Sequence, residues 1–273
     1  MIPDDHRRFR LTLQYDGSYL MGWQLQPRGR TVQGELEDAL KKITGKRYPV
    51  LGSGRTDSGV HATGQVASVA LPPRWDIPEL HRGLNALLPS DIWVEAVELV
   101  PDHFHPRFHA VARSYRYQVG LVPESASPFH RPWCWPLSRE VDVDLLQEGA
   151  GLLMGEHSFR AFSKAGQEHR GDLCSVSAAR WVDWIGRGIA FQITANRFLH
   201  HMVRYLVGTM MDVGLGRRPL TEMEKLLSGA GDGLVTSPPA PPEGLFLSKV
   251  TYPDPLPPEG PPDGDGDHGG GPE

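Results

Sequence analysis

The densest group of reactive side chains in the sequence is the run Gly52-Ser53-Gly54-Arg55-Thr56-Asp57-Ser58-Gly59-Val60-His61. It places a carboxylate, a guanidinium and an imidazole in one glycine-flanked loop between two strand-like runs. A rigid scaffold can present side chains from such a loop. It is not a dinucleotide fingerprint, because Asp57 stands where a third glycine is needed and no helix pattern follows. It is not a phosphate loop either, since Gly-Lys-Ser/Thr is missing. Asp-Ser-Gly is also ordinary turn chemistry. If the loop is a site, its chemistry is that of a fixed carboxylate acting as nucleophile or base.

A second group is the run Asn196-Arg197-Phe198-Leu199-His200-His201-Met202-Val203-Arg204, in which Asn196 directly precedes a helix expected over 197–213. Phe198, Met202, Val203, Leu206 and Met210 make this segment largely apolar, so an arginine within it needs a partner if it is buried. Asp57 is the carboxylate expected to reach Arg204. His200 and His201 suggest a metal, but adjacent residues on a helix point about 100 degrees apart and no third ligand stands nearby in sequence. Packing and hydrogen bonding are therefore the preferred reading of the two histidines. In Arg113-Ser114-Tyr115-Arg116-Tyr117, strand alternation puts Arg113, Tyr115 and Tyr117 on one face. A tyrosine there either stacks on an unpaired base or packs in the core. His105 and His109 have the i, i+4 spacing of metal ligands, but Pro106 opposes a helix. Asp263, Asp265 and Asp267 begin like a calcium loop without its glycine or distal glutamate. Both are read as solvated surface.

The elements that must position these residues can be read from periodicity. A strand is expected at 8–15, a helix at 31–44 capped by Thr31 and ended by Gly45, strands at 47–53 and 64–71, a helix at 77–88 and a strand at 92–100. That order is the split βαβ plan. A similar order follows: a strand at 111–119, an irregular aromatic stretch at 128–137, a helix near 142–154, strands at 173–185 and 188–195, helices at 197–213 and 219–228, and a last strand at 245–250. The expectation is an α+β chain of two halves, 1–106 carrying the loop and 107–251 completing the site, whose sheets join around a central cleft.

Composition bounds the function classes. The chain has 273 residues, 39% hydrophobic and 22% charged, which suits a globular protein. No apolar run approaches a membrane span and the N-terminus does not read as a signal peptide, so a cytoplasmic protein with no membrane partner is expected. Cys134 and Cys174 are read as reduced packing residues. The net charge of -5 looks unsuited to a nucleic-acid partner. Six acids and no Lys or Arg fall in the Pro/Gly-rich stretch 252–273, which is expected to be a disordered tail. Without it the chain is close to neutral.

Together with Tyr15-Asp16-Gly17 and Gly22-Trp23-Gln24, the segments GRTDSGVHA (54–62), Gly64-Gln65-Val66, ARSYRY (112–117), FLHHMVR (198–204) with Gly208, and PEGLFL (242–247) resemble the TruA family of tRNA pseudouridine synthases. The motifs occur in the family's order over roughly residues 10–250. Ser58 replaces a common alanine with little added bulk, and 160–175 carries no clear motif. The resemblance implies the pseudouridine-synthase fold, a homodimer that needs no metal or cofactor, and tRNA as substrate at uridines 38, 39 and 40 of the anticodon arm. It makes Asp57 the catalytic aspartate, Arg204 its ion-pair partner, Tyr115 the stacking partner of the target base, Arg55 the residue that helps displace that base, and Leu245 a pocket residue. His61, closing the same loop, is expected to bind substrate. A glycosidase would want a second acid near Asp57, and none occurs between Asp38 and Asp76. A non-catalytic RNA-binding module on the same scaffold is the remaining competitor.

Overall fold

Along β1 (Arg7–Tyr15) every second side chain is buried: Phe9, Leu11, Leu13 and Tyr15 face inward and the polar residues between them do not. This is the period-2 pattern of a strand with one covered face. The covering layer comes from α1 (Val32–Thr44) and α2 (Ile77–Leu87). Thr31 caps α1 by accepting a hydrogen bond from the Gly34 amide, and Gly45 ends it in a left-handed conformation. Asp76 caps α2 through the Glu79 amide. Leu36, Leu40, Leu80 and Leu84 are fully buried, each worth roughly 1.5–3 kcal/mol of transfer free energy. The computed structural model describes residues 6–164, 171–229 and 233–257.

The remaining elements are β2 (Leu51–Gly52), β3 (His61–Leu71), β4 (Ile92–Val100), β5 (Ala112–Gly120), β6 (Trp135–Pro136), α3 (Val143–Gly151), β7 (Gly155–Ser158), β8 (Leu173–Asp183), β9 (Gly188–Ala195), α4 (Met202–Gly214), α5 (Thr221–Ser228) and β10 (Leu245–Thr251). Eight strands run in the order β4-β1-β3-β10-β5-β9-β8-β7, with β2 added to β3 and β6 to β5. The result is a mixed α+β fold in which the late strand β10 sits between β3, to which it is parallel, and β5, to which it is antiparallel. This insertion matters for the site. It sets Phe246 beside His61 and Leu247 beside Tyr115, so residues from both ends of the chain share the centre of one sheet.

Two apolar cores flank that centre. One gathers Phe9, Leu11, Leu13, Leu36 and Leu80; the other gathers Phe159, Phe162, Phe191, Leu206 and Met210; Tyr115 packs against both. Helix α4 is buried on almost every side, which explains its nearly continuous apolar sequence. No helix is long and apolar enough to cross a membrane among the described residues.

Several expectations shift. The strand at 47–53 shrinks to Leu51–Gly52, and the short polar strand β7 was not anticipated. The helix expected from 197 begins at Met202, because His201 takes a left-handed conformation with φ 62°. The Asn196 side chain also turns the chain there, accepting from the Ser175 and Arg197 amides. The tail starts later than 252: the Tyr252 hydroxyl donates to the Pro106 carbonyl at 2.7 Å, and Tyr252 and Leu256 pack on the N-terminal core. The rest of that stretch, with Asp263, Asp265 and Asp267, lies outside the described residues.

Candidate active site

The loop from Ser53 to Val60 is held by a buried polar network. Gln65, fully buried on β3, donates to the Gly54 carbonyl at 3.0 Å and accepts from the Ser53 hydroxyl at 2.7 Å. The Tyr15 hydroxyl pairs with Thr56 Oγ1 at 2.8 Å, and the Trp23 amide donates to the Thr56 carbonyl at 3.0 Å. A fully satisfied network of this kind rigidifies what it surrounds. Gly22 is in the left-handed region at φ 87°, and a Cβ there would lie 2.4 Å from the Thr56 carbonyl oxygen. Only glycine lets the Gly22-Trp23 segment approach the loop this closely.

Facing the loop is the turn that leads into α4. Asp57 Oδ1 lies 3.4 Å from His200 Nε2, and Asp57 Oδ2 lies 3.2 Å from His201 Nε2 and 3.7 Å from Arg204 Nη1. Arg204 is 13% exposed and Asp57 25%, so the cation forms the floor and the carboxylate stays accessible. Arg204 is aimed by its own Nε, which donates to the Ala240 carbonyl at 2.7 Å, while the Ala240 amide returns a bond to the Arg204 carbonyl at 2.9 Å. The 238–240 segment reaches α4 because position 208 has no side chain: a Cβ there would stand 2.2 Å from the Pro238 carbonyl oxygen. The Lys164 amide fixes the His200 carbonyl at 3.1 Å. Burial holds His201 below the usual histidine range, and Asp57 pulls the other way.

Tyr115 enters the same neighbourhood from β5. Its ring meets Phe198 edge-on at 4.9 Å between centroids. Burial pushes its hydroxyl up to about 12, with Arg113 opposing and Asp57 reinforcing that rise. It is therefore a neutral tyrosine. Arg55 is exposed beside Asp57 on the loop. Leu245 is 6% exposed, opposite Tyr117 in the C-terminal core.

His61 departs from expectation. At 1% exposure it does not line an open surface. Its Nδ1 accepts from the Gly17 amide at 3.0 Å and lies 3.2 Å from Asp16 Oδ1, and its ring stacks on Phe246 at 4.7 Å. Burial lowers its affinity for a proton. His61 thus ties the Asp16-Gly17 turn to the start of β3, and its place at the head of a central strand is what buries it.

The sequence also gave no role to Arg113, which proves to be a hub. Its guanidinium donates to four backbone carbonyls, those of Ser53 (3.1 Å), Arg107 (2.6 Å), Ala110 (3.0 Å) and Asn196 (3.1 Å). It therefore links the root of the Asp57 loop to the root of the Arg204 turn. Its place two residues before Tyr115 on the same strand face was the available signal. Gln65, a lone amide in an apolar strand, was another.

Two observations bear on the metal question. His200 and His201 precede α4 rather than lying on it, and together with Asp57 they offer one ligand atom each, all within 4.8 Å of one another.

The family model for tRNA pseudouridine synthase matches residues 12–109 and 150–253, which include Asp57, His200, His201 and Arg204 but neither Arg113 nor Tyr115. The tRNA pseudouridine synthase A of Chlorobium luteolum is 42% identical over 249 residues, covering 91% of this chain and 96% of that protein. The tRNA pseudouridine synthase A of Geobacter sp. (strain M21) is 37% identical over 250 residues, covering 91% of this chain and all of its relative. That of Myxococcus xanthus is 38% identical over 248 residues, covering 90% and 92%. With similarity at this level along nearly the whole of both partners, this chain belongs to the TruA family of tRNA pseudouridine synthases.

Proposed function

We propose that this chain converts uridine to pseudouridine in tRNA, at positions 38, 39 and 40 of the anticodon arm, with Asp57 as its catalytic carboxylate. The observation that carries the assignment is the approach of Asp57 to Arg204 at 3.7 Å on a part-exposed surface that Tyr115 also reaches. The isomerisation breaks the bond from the sugar to N1, turns the detached uracil and joins the sugar to C5. The C5 proton leaves and N1 gains one, so no redox change or group donor is involved. A carboxylate serves either as nucleophile or as base, and both roles need it ionised and fixed in direction. Arg204 supplies the direction and a compensating charge.

A stacked uridine hides its glycosidic bond, so the nucleotide must leave the stack at a cost of a few kcal/mol. Arg55, exposed beside Asp57, enters the vacated space; Tyr115 receives the uracil face; Leu245 packs at the pocket wall. We assign the two split βαβ halves, meeting at β10, to an arrangement in which 1–106 carries the loop and 107–251 completes the site. The two separate cores and the β-α-β-β-α-β order of the first half support this. A homodimer acting in the cytoplasm completes the proposal.

The test is an unmodified tRNA transcript incubated with the protein, with pseudouridine mapped by carbodiimide-primer extension. Signal at 38–40 that disappears with Asp57→Ala is expected. Full conversion by that variant would remove Asp57 from the mechanism, and no conversion by the native protein on any tRNA would leave an RNA-binding module.

A further inference from the structure

We infer that Asp57, His200 and His201 form a binding site for a borderline divalent metal ion, Zn²⁺ or Co²⁺, which competes with RNA for the catalytic carboxylate. Two imidazole nitrogens and a carboxylate are the donor set that such ions select, whereas Mg²⁺ prefers oxygen ligands and water. The spacing also fits. Ligand atoms on a tetrahedral zinc ion with bonds of about 2.0–2.1 Å stand about 3.3 Å apart. Here His200 Nε2 stands 3.4 Å from Asp57 Oδ1 and His201 Nε2 3.2 Å from Asp57 Oδ2, each imidazole facing its own carboxylate oxygen, and one donor atom from each residue falls within 4.8 Å of the other two. The imidazoles lie close, with centroids 4.1 Å apart, so both Nε2 atoms converge on Asp57 from one side. His201 owes this direction to its left-handed backbone, which a continuous helix would not allow.

Asp57, His200 and His201 are all part-exposed, which leaves a fourth position open to water. Two cations oppose the ion: Arg204 at 3.7 Å from Asp57 Oδ2, and Lys164, which adds to the positive field at His201. Affinity therefore falls well short of a structural zinc site, as befits a reversible inhibitor. Metal binding stands on geometry alone; the inhibition rests on the catalytic reading of Asp57.

Untagged full-length protein titrated with Co²⁺ tests both parts. Saturable binding of one equivalent is expected, with visible ligand-field bands that Zn²⁺ removes and Mg²⁺ does not. The double variant His200→Ala/His201→Ala should bind Co²⁺ more than about tenfold more weakly, with an unchanged circular dichroism spectrum and intact tRNA binding. In the turnover assay Zn²⁺ should raise the apparent KM for tRNA, and EDTA should restore it. No saturable binding, or binding undiminished in the double variant, would overturn the site. Binding at these residues with no effect on turnover would overturn the competition and count against Asp57 as catalyst.

Discussion

Asp57 and Arg204 meet across the joint between an N-terminal loop and a C-terminal helix, with Oδ2 and Nη1 3.7 Å apart. At that distance they form an ion pair and not a hydrogen bond. The guanidinium is fixed instead by Ala240, through its Nε. Lysine at 204 would keep the charge but lose the fork that serves both partners. Arg204→Lys should therefore bind tRNA normally and convert it about 100-fold more slowly, measured as single-turnover rate. A variant within twofold of the native rate would show that charge alone suffices.

Tyr115 offers a separate test of what its ring and its hydroxyl do. Burial pushes the hydroxyl up to about 12, so it carries no charge in the neutral range. If the tyrosine acts as a stacking surface, Tyr115→Phe should retain most of the rate and give the same pH profile between 6 and 9. Tyr115→Ala should lose the contact to Phe198 as well, and fall by roughly one to two orders of magnitude, about the worth of one base stack. An alkaline limb that vanishes in Tyr115→Phe would assign the hydroxyl to the chemistry.

How far the sequence reveals this site depends on the kind of force involved. The Asp57–Arg204 pair was legible because a cation in an apolar segment demands a carboxylate, and the loop held the only acid in its region. The start of α4 was not legible. Phe198 and Leu199 continue an apolar pattern in sequence, and the chain turns there because of the Asn196 side-chain hydrogen bonds and the left-handed His201. That misplacement also hid the convergence of the two histidines on Asp57. The burial of His61 was not legible, because residue type does not say whether the head of a strand faces solvent or, as here, Phe246. The order of the first six elements followed from periodicity, whereas the insertion of β10 between β3 and β5 depends on long-range pairing that no local pattern announces.

Gly22 links the fold to the site. Its left-handed φ and the 2.4 Å approach of a notional Cβ to the Thr56 carbonyl leave no room for alanine without moving the loop that carries Asp57. Gly22→Ala should cost about 1–3 kcal/mol of stability and depress turnover further than tRNA affinity. Denaturant unfolding and single-turnover kinetics would show both effects. Native kinetics in this variant would mean that the loop is not held from this side.

Arg113 poses the same question without strain. Its four acceptors are backbone carbonyls from the Asp57 loop, the 107–110 connection and Asn196, and burial lowers its affinity for a proton. Lysine cannot span them. Arg113→Lys should lower kcat by about tenfold or more with little change in KM, because it loosens the relation of Asp57 to Arg204 and not the RNA contacts. Equal losses in kcat and in tRNA affinity would point to general unfolding of the region.

The connection between β4 and β5 supplies a prediction about pH. His105 Nδ1 accepts from the Arg107 and Phe108 amides at 3.1 and 3.3 Å, and His109 Nδ1 accepts from the His105 amide at 3.1 Å. Both imidazoles must be unprotonated at Nδ1 to do so. Burial, with the charges of Arg8, His109 and Arg107, holds His105 down at about 4, and burial also lowers His109. A histidine whose folded value lies below its unfolded value near 6.5 contributes its full stability above that unfolded value. The contribution is lost as pH falls from about 6.5 through 4, because the unfolded chain takes up the proton first. Since His105 is only half-buried, the loss should be on the order of 1–2 kcal/mol, read as a fall in the urea midpoint between pH 7 and pH 4.5. His105→Asn keeps an acceptor for the two amides without a titrating group, so it should flatten that slope. A slope as steep in His105→Asn as in the native chain would move the pH sensitivity to other groups.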